Sequence, residues 1–299
     1  MGTLLLCLLC LLSILFILFI TPIVVVAGLL GGATLYLHYY RWRHGVPEDG
    51  NDARWHDARV TLAKMFRWHG SIWHGFEVEG FDRIPSRGAC MIVYYHGSIP
   101  IDAMYIAAEC YLRKNRLVRL VGDRFITQIP GFSLVFRVFR AVPDSTVESC
   151  VAMLKQGHIV AIAPGGMRET LFADSATYDT IWASRRGFAK VALQSGAPVV
   201  PIFTENCREA FIIPKMDYFR RLYEETRLPL VPMFGGFPVK FKTHIGTALQ
   251  FESDTASGLE EEMVDMINDS VKELIRKHQQ LPGSIFRALF DRIVPKKLS

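Results

Sequence analysis

The chain has 299 residues, half of them hydrophobic, and a formal charge of +5. That length holds one large domain with appendages, and so mild a charge suits an anionic membrane surface or a phosphorylated ligand rather than a nucleic acid. Its six cysteines (Cys7, Cys10, Cys90, Cys110, Cys150, Cys207) are scattered without metal-ligand spacing, which reads as a reduced, cytosol-facing body with no disulfide framework and no metal.

Residues 1–40 contain no Asp, Glu, Lys or Arg. The apolar stretch is too long for a signal peptide, and a membrane span needs about 20 residues. Residues 1–44 are therefore expected to form a membrane anchor, either one span or a re-entrant hairpin opening at Thr21-Pro22. Tyr39, Tyr40 and Trp42 stand among Arg41, Arg43 and His44, which predicts emergence on the cytosolic side. Residues 45–84 are expected to form an interfacial linker. Its Phe66, Trp68, Trp73 and Phe76 alternate with Lys64, Arg67, His69 and His74, a mixture that suits either a headgroup layer or an ordinary packed helix and hairpin.

From residue 85 to 280 short β-rich runs alternate with helical stretches, the mark of an α/β domain. The predicted strands are 90–95, 117–122, 158–163 and 198–203, with helices over 101–113, 145–156 and 184–195 between them. The first strand delivers His96 into a Gly-Ser turn, and Asp102 follows in the first turn of the next helix. A carboxylate holding one ring nitrogen leaves the other to take a proton from a hydroxyl, so His96 and Asp102 are the candidate catalytic pair. The apolar region from Phe125 to Phe139, carrying Arg137 and Arg140, reads as a core helix with two solvated arginines or as a lipid-facing wall. The third strand breaks at Pro164-Gly165-Gly166, where the glycines let backbone N–H groups approach an oxyanion, with Arg168 and Glu169 beside them. Arg185, Arg186 and Lys190 open a helix and read either as a solvated basic face or as a cluster that meets the phosphates of a nucleotide-like carrier such as coenzyme A. The fourth strand ends at Thr204, Glu205 and Asn206.

Taken in order, YHGSIPID, the Ile129-Pro130-Gly131 region, APGGMRETL and APVVPIFTEN resemble the glycerolipid acyltransferase superfamily, which includes the lysophospholipid acyltransferases. They look closest to its transmembrane protein 68 branch, related to the type 2 diacylglycerol acyltransferases. The resemblance implies a glycerolipid acyltransferase-like α/β domain. It further implies acyl transfer with no bound cofactor, and triacylglycerol synthesis at the endoplasmic reticulum with the catalytic domain facing the cytosol. The implied partners are membrane lipids, a glycerolipid acceptor and an acyl donor. Two departures narrow this. Asp102 lies six positions beyond His96, where the superfamily's usual motif has five. The acidic-Gly-Thr-Arg block of phosphate-acceptor members is replaced by Gly165-Gly166-Met167-Arg168, and Asp144 stands where those members place an arginine. Both changes favour mono- or diacylglycerol over a lysophospholipid as acceptor. A serine lipase or esterase is disfavoured because no Gly-x-Ser-x-Gly elbow occurs. A non-catalytic lipid-binding adaptor is disfavoured by the presence of the whole candidate site.

Towards the end, residues 257–279 are expected to form an amphipathic helix, acidic at its start and basic at its end. Residues 281–299 are expected to be an amphipathic tail in which Lys296 and Lys297 resemble a dilysine retrieval signal.

Overall fold

The structure is a computed structural model and describes residues 2–123, 131–143, 145–182, 185–214, 216–228, 231–251 and 259–294. Two apolar helices open it, α1 (Gly2–Phe19) and α2 (Thr21–His44), followed by α3 (His56–His69), a π-turn over Gly70–His74, and β1 (Glu77–Glu79). The central body then runs β2 (Cys90–Tyr94), α4 (Ile101–Lys114), β3 (Val118–Gly122), α5 (Phe132–Phe139), β4 (Val142–Pro143), α6 (Val147–Lys155), β5 (Ile159–Ile162), α7 (Gly166–Phe172), α8 (Gly187–Ser195) and β6 (Val199–Thr204). A closing region holds β7 (Phe211–Ile212), α9 (Asp217–Thr226), β8 (Phe234–Gly235), β9 (Lys242–Ile245), α10 (Leu259–His278) and α11 (Ile285–Ile293).

The four strands read from the sequence are β2, β3, β5 and β6, and they form the middle of a seven-stranded sheet ordered β1-β9-β6-β2-β5-β3-β4. Every pairing in it is parallel except β6 with β9. A parallel sheet is covered on both faces, so its strands need apolar residues at every position, and all five of β2 are buried. Met91 and Val93 meet α6, α8 and α10 through Leu154, Ala189 and Ile267, while Cys90, Ile92 and Tyr94 face α4 through Ile106 and Cys110. Because β2 lies between β5 and β6, the loops that leave these three strands emerge at one edge. In such sheets the carboxyl edge is where ligands bind.

At the amino terminus the structure corrects the expected span. Among the described residues no helix is long and apolar enough to cross a membrane. There is no hairpin either: Ile20 is helical (φ −96°, ψ −44°), its N–H donates to Phe16 O at 2.9 Å, and Val24 N–H donates to Ile20 O at 3.0 Å. Pro22 falls in the first turn of α2, where its missing N–H is tolerated. The apolar side of α2 is also engaged by the body, since Val26, Ala33 and Leu37 are buried. In contrast, α1 exposes Leu4, Leu5, Leu8, Leu9, Leu12 and Phe16.

Residues 45–84 are part of the same body rather than a linker. Trp55, Phe81 and Ile84 are buried, Arg67 holds Glu109 on α4 through two hydrogen bonds (2.6 and 3.0 Å), and β1 extends the sheet beside β9. The carboxyl-terminal segment also docks: Lys240 N–H donates to Ala288 O at 3.1 Å, with Phe286, Phe290 and Ile293 of α11 exposed. Lys296 and Lys297 lie outside the described residues.

Candidate active site

His96 leaves β2 at the polar end of a cavity of about 320 Å³. The cavity wall is apolar: Ala103, Met104, Ala107 and Ala108 of α4, Val118, Leu120 and Val121 of β3, Leu30 and Ala33 of α2, and Val135, Phe136 and Phe139 of α5. Alanines on α4 leave a slot that larger residues would fill. The α5 segment is thus a cavity wall, and the arginines beside it make pairs, Arg137 while remaining exposed and Arg140 half-buried. Arg137 pairs with Glu48 at 2.9 Å, and Arg140 Nε donates to Gly50 O at 3.1 Å.

The His96 ring is held through Nδ1, which lies 2.7 Å from Gly97 O and 2.6 Å from Thr170 Oγ1. A carbonyl only accepts, so Nδ1 carries the proton and Nε2 keeps the lone pair a general base needs. Burial lowers the His96 pKa to about 4; the Gly97 carbonyl opposes that shift and the Arg208 charge adds to it. The imidazole is neutral at physiological pH.

Asp102 does not hold this ring. It is buried at the start of α4, its carboxylate takes a hydrogen bond from Thr204 and from backbone N–H groups at Asp102 and Ala103, and its Oδ1 lacks a partner among the described residues. Burial raises its pKa to about 6. The extra residue in the Gly97–Pro100 turn accompanies this change, and the orienting role passes to Thr170 and the Gly97 carbonyl.

Glu169 is fully buried beneath the loop rather than in the substrate cavity. Its Oε2 accepts His96 N–H at 2.9 Å, and its Oε1 accepts Ile181 N–H at 3.1 Å and Trp182 Nε1–H at 3.2 Å. Burial lifts its pKa to about 7 against the pull of those donors. Gly165 is the residue that makes room for it: a Cβ there would lie 2.4 Å from Glu169 Cβ. Gly166 lines the cavity with φ +48°, but its N–H donates to Ala163 O at 3.0 Å and is not left for an oxyanion. Arg168 is half-buried, its Nε lacks a partner among the described residues, and it does not line the cavity.

Of the three expected donor-binding cations, only Arg185 reaches the cavity, where Nη1 donates to Pro164 O and Gly165 O, both at 2.9 Å. Arg186 pairs with Glu261 and Lys190 lies 3.9 Å from Glu260, so the acidic first turn of α10 takes both. Asp144, Ile129 and Pro130 lie outside the described residues.

Two further residues build the site. Thr170 follows Glu169 directly in APGGMRETL. Arg208, buried after β6, donates to Glu169 O (3.0 Å), Thr170 O (3.1 Å) and His96 O (3.4 Å), tying the His96 turn to α7. Away from the cavity, Glu205, His244 and His278 form a cluster with metal-ligating atoms.

Fold and site together define the class: an α/β enzyme that carries a neutral histidine to the end of an apolar slot. A family model described as Acyltransferase matches residues 75–205. Relatives from Bos taurus and Homo sapiens, each described as "DGAT1/2-independent enzyme synthesizing storage lipids", are 41% and 42% identical, over 88% and 86% of this chain and 78% of each relative. The crystal structure of PlsC, the 1-acyl-sn-glycerophosphate acyltransferase of Thermotoga maritima, matches with a TM-score of 0.50 at 16% identity, over 81% of this chain and 94% of that one. At that identity the match shows the shared fold. The chain belongs to the glycerolipid acyltransferase family.

Proposed function

We propose that the protein is a membrane-bound O-acyltransferase that moves a fatty acyl group onto the hydroxyl of mono- or diacylglycerol, the acylation of diacylglycerol forming triacylglycerol. The observation that carries this reading is the apolar cavity with His96 at its polar end. Such a slot takes an acyl chain, and its volume falls within the range of about 300–1,000 Å³ usual for small-molecule pockets. His96 Nε2 removes the acceptor's hydroxyl proton as the oxygen attacks the acyl carbonyl, and the imidazolium then returns that proton to the leaving group. The remaining N–H groups of Arg185 stabilise the oxyanion between those steps. Acyl-coenzyme A and a phospholipid present the same chain and carbonyl to the slot, and the reaction as proposed uses no bound cofactor.

A neutral acceptor is supported by the cavity having, among the described residues, one arginine, already engaged with Pro164 and Gly165 carbonyls, and by the storage-lipid description of the relatives. The exposed leucines of α1 support attachment to a membrane surface, which we take to be the cytosolic side of the endoplasmic reticulum.

The test is an assay of purified protein in liposomes with labelled acyl-coenzyme A or phospholipid and three acceptors: monoacylglycerol, diacylglycerol and lysophosphatidate. We expect triacylglycerol from wild type, and a loss of about 10²–10⁴ in rate for folded His96→Gln. An undiminished variant, or preferential use of lysophosphatidate, would overturn the reading.

A further inference from the structure

Beyond the acyl-transfer cavity, β6, β9 and the end of α10 converge on three side chains far apart in sequence. Glu205 follows β6, His244 lies in β9, and His278 is the last residue of α10. Each offers one ligand atom, and these atoms all lie within 4.8 Å of one another. His244 is 97% buried by its 3% exposure, a costly place for an imidazole without a purpose for both nitrogens. Its Nε2 faces Glu205 Oε1 at 2.6 Å, while its Nδ1 has no hydrogen-bond partner among the described residues and points toward Glu79 Oε2 at 3.4 Å. The His278 ring stacks on it with centroids 3.5 Å apart.

From this arrangement we propose a zinc site in which His244 Nε2, a Glu205 oxygen and a His278 nitrogen bind one Zn²⁺, with water as the fourth ligand. Two imidazoles and a carboxylate are a donor set that zinc favours, with ligand distances near 2.0–2.2 Å. Binding all three donors to one ion requires the ring stack to open and His244 to part from Glu205. Glu79 then accepts from His244 Nδ1–H, the outer carboxylate that fixes tautomer and ring orientation in zinc sites. None of the three ligands lines the cavity. The ion ties α10 to two adjacent strands, β6 and β9, one residue beyond Thr204, which itself holds Asp102. The inference rests on no assumption about substrate.

The probe is zinc sulfate added to chelator-treated full-length protein in detergent, read by calorimetry and by thermal unfolding, with metal content measured after dialysis. Wild type is expected to retain about one equivalent and to gain several degrees in unfolding temperature, since a ligand bound only by the folded state stabilises it. His278→Ala and Glu205→Gln, at positions more exposed than His244, are expected to fold, to retain no stoichiometric zinc and to lose the thermal gain. Absence of saturable binding by wild type overturns the proposal, and so does binding that persists at full stoichiometry in both variants, which would place the metal elsewhere.

Discussion

At the scale of single residues, the proposed base, His96, is oriented by neighbours that have no catalytic reputation. Thr170 and the Gly97 carbonyl share the Nδ1 proton of His96. Thr170→Val keeps the shape and removes one acceptor, so we expect kcat to fall about tenfold, about 1.4 kcal/mol, the size of one orienting hydrogen bond. KM should stay close to wild type, because Thr170 acts through His96; an equal loss in KM would make it a substrate contact instead. Asp102 gives a different test. Its pKa is 3.8 when free and about 6 when folded, so the folded state holds its proton more tightly. Stability contributed by the neutral form is complete below about pH 4, is lost as pH rises to about 6, and stays lost above. Asp102→Asn escapes that loss. Thermal unfolding should therefore show no advantage for the variant at pH 4 and a growing one to pH 6 and beyond, with roughly 3 kcal/mol as the upper bound. A constant difference across that range would rule out the shift. Sequence reading placed His96 and the Gly165-Gly166 loop near each other because a strand-end histidine and a glycine pair are local signals, but the oxyanion role expected of the glycines does not match Gly166, whose N–H is taken by Ala163 O. It missed Arg208 because a buried arginine capping three carbonyls has no local pattern. It misplaced Asp102, Glu169, Arg186 and Lys190 because only packing shows which way a side chain turns.

At the scale of elements, the four central strands and α4 were legible to within a residue and α6 and α8 to within three, while α7 was read only as a glycine turn. Short apolar runs bounded by turns suit strands of a doubly covered sheet. Two short edge pieces were not: β1 and β4 have three and two residues and acquire their identity from β9 and β3. The segment carrying α3 and β1 looked interfacial because its aromatics are spaced among basic residues; in fact Phe66 is buried while Trp68 faces out. The element with the most direct functional consequence is α4, whose Ala107 lines the acyl slot between His96 and α5. Ala107→Phe fills part of that slot. The variant should lose activity with long acyl donors, by at least tenfold for an eighteen-carbon chain, while keeping most of it with an eight-carbon chain. A uniform loss at all lengths would mean that the chain lies elsewhere.

For the whole molecule, α1 and α2 differ in a way composition could not reveal, since both are free of acidic residues. The body claims one side of α2 and leaves α1 exposed. Deleting residues 2–19 should therefore leave a folded protein that no longer floats with liposomes, whereas the full chain does. Each leucine withdrawn from water contributes about 1.5–3 kcal/mol, so losing seven of them outweighs any residual attraction from the mild positive charge. If the truncated protein floated as well as the full chain, another surface would have to be the anchor.

The same pair of helices bears on where substrate comes from. Leu30 and Ala33 belong to α2, the direct continuation of α1, yet they form part of the wall of the acyl slot. With α1 seated in lipid as proposed, the path from bilayer to His96 runs along two successive helices. A sixteen-carbon chain crossing water instead would face about 0.8 kcal/mol per methylene, on the order of 10 kcal/mol in all. Sliding sideways out of the leaflet avoids that barrier. Turnover then becomes a problem in two dimensions: its rate follows the mole fraction of acceptor in the surrounding leaflet, and diluting the lipid with inert phospholipid slows it even when the molarity in the tube is unchanged.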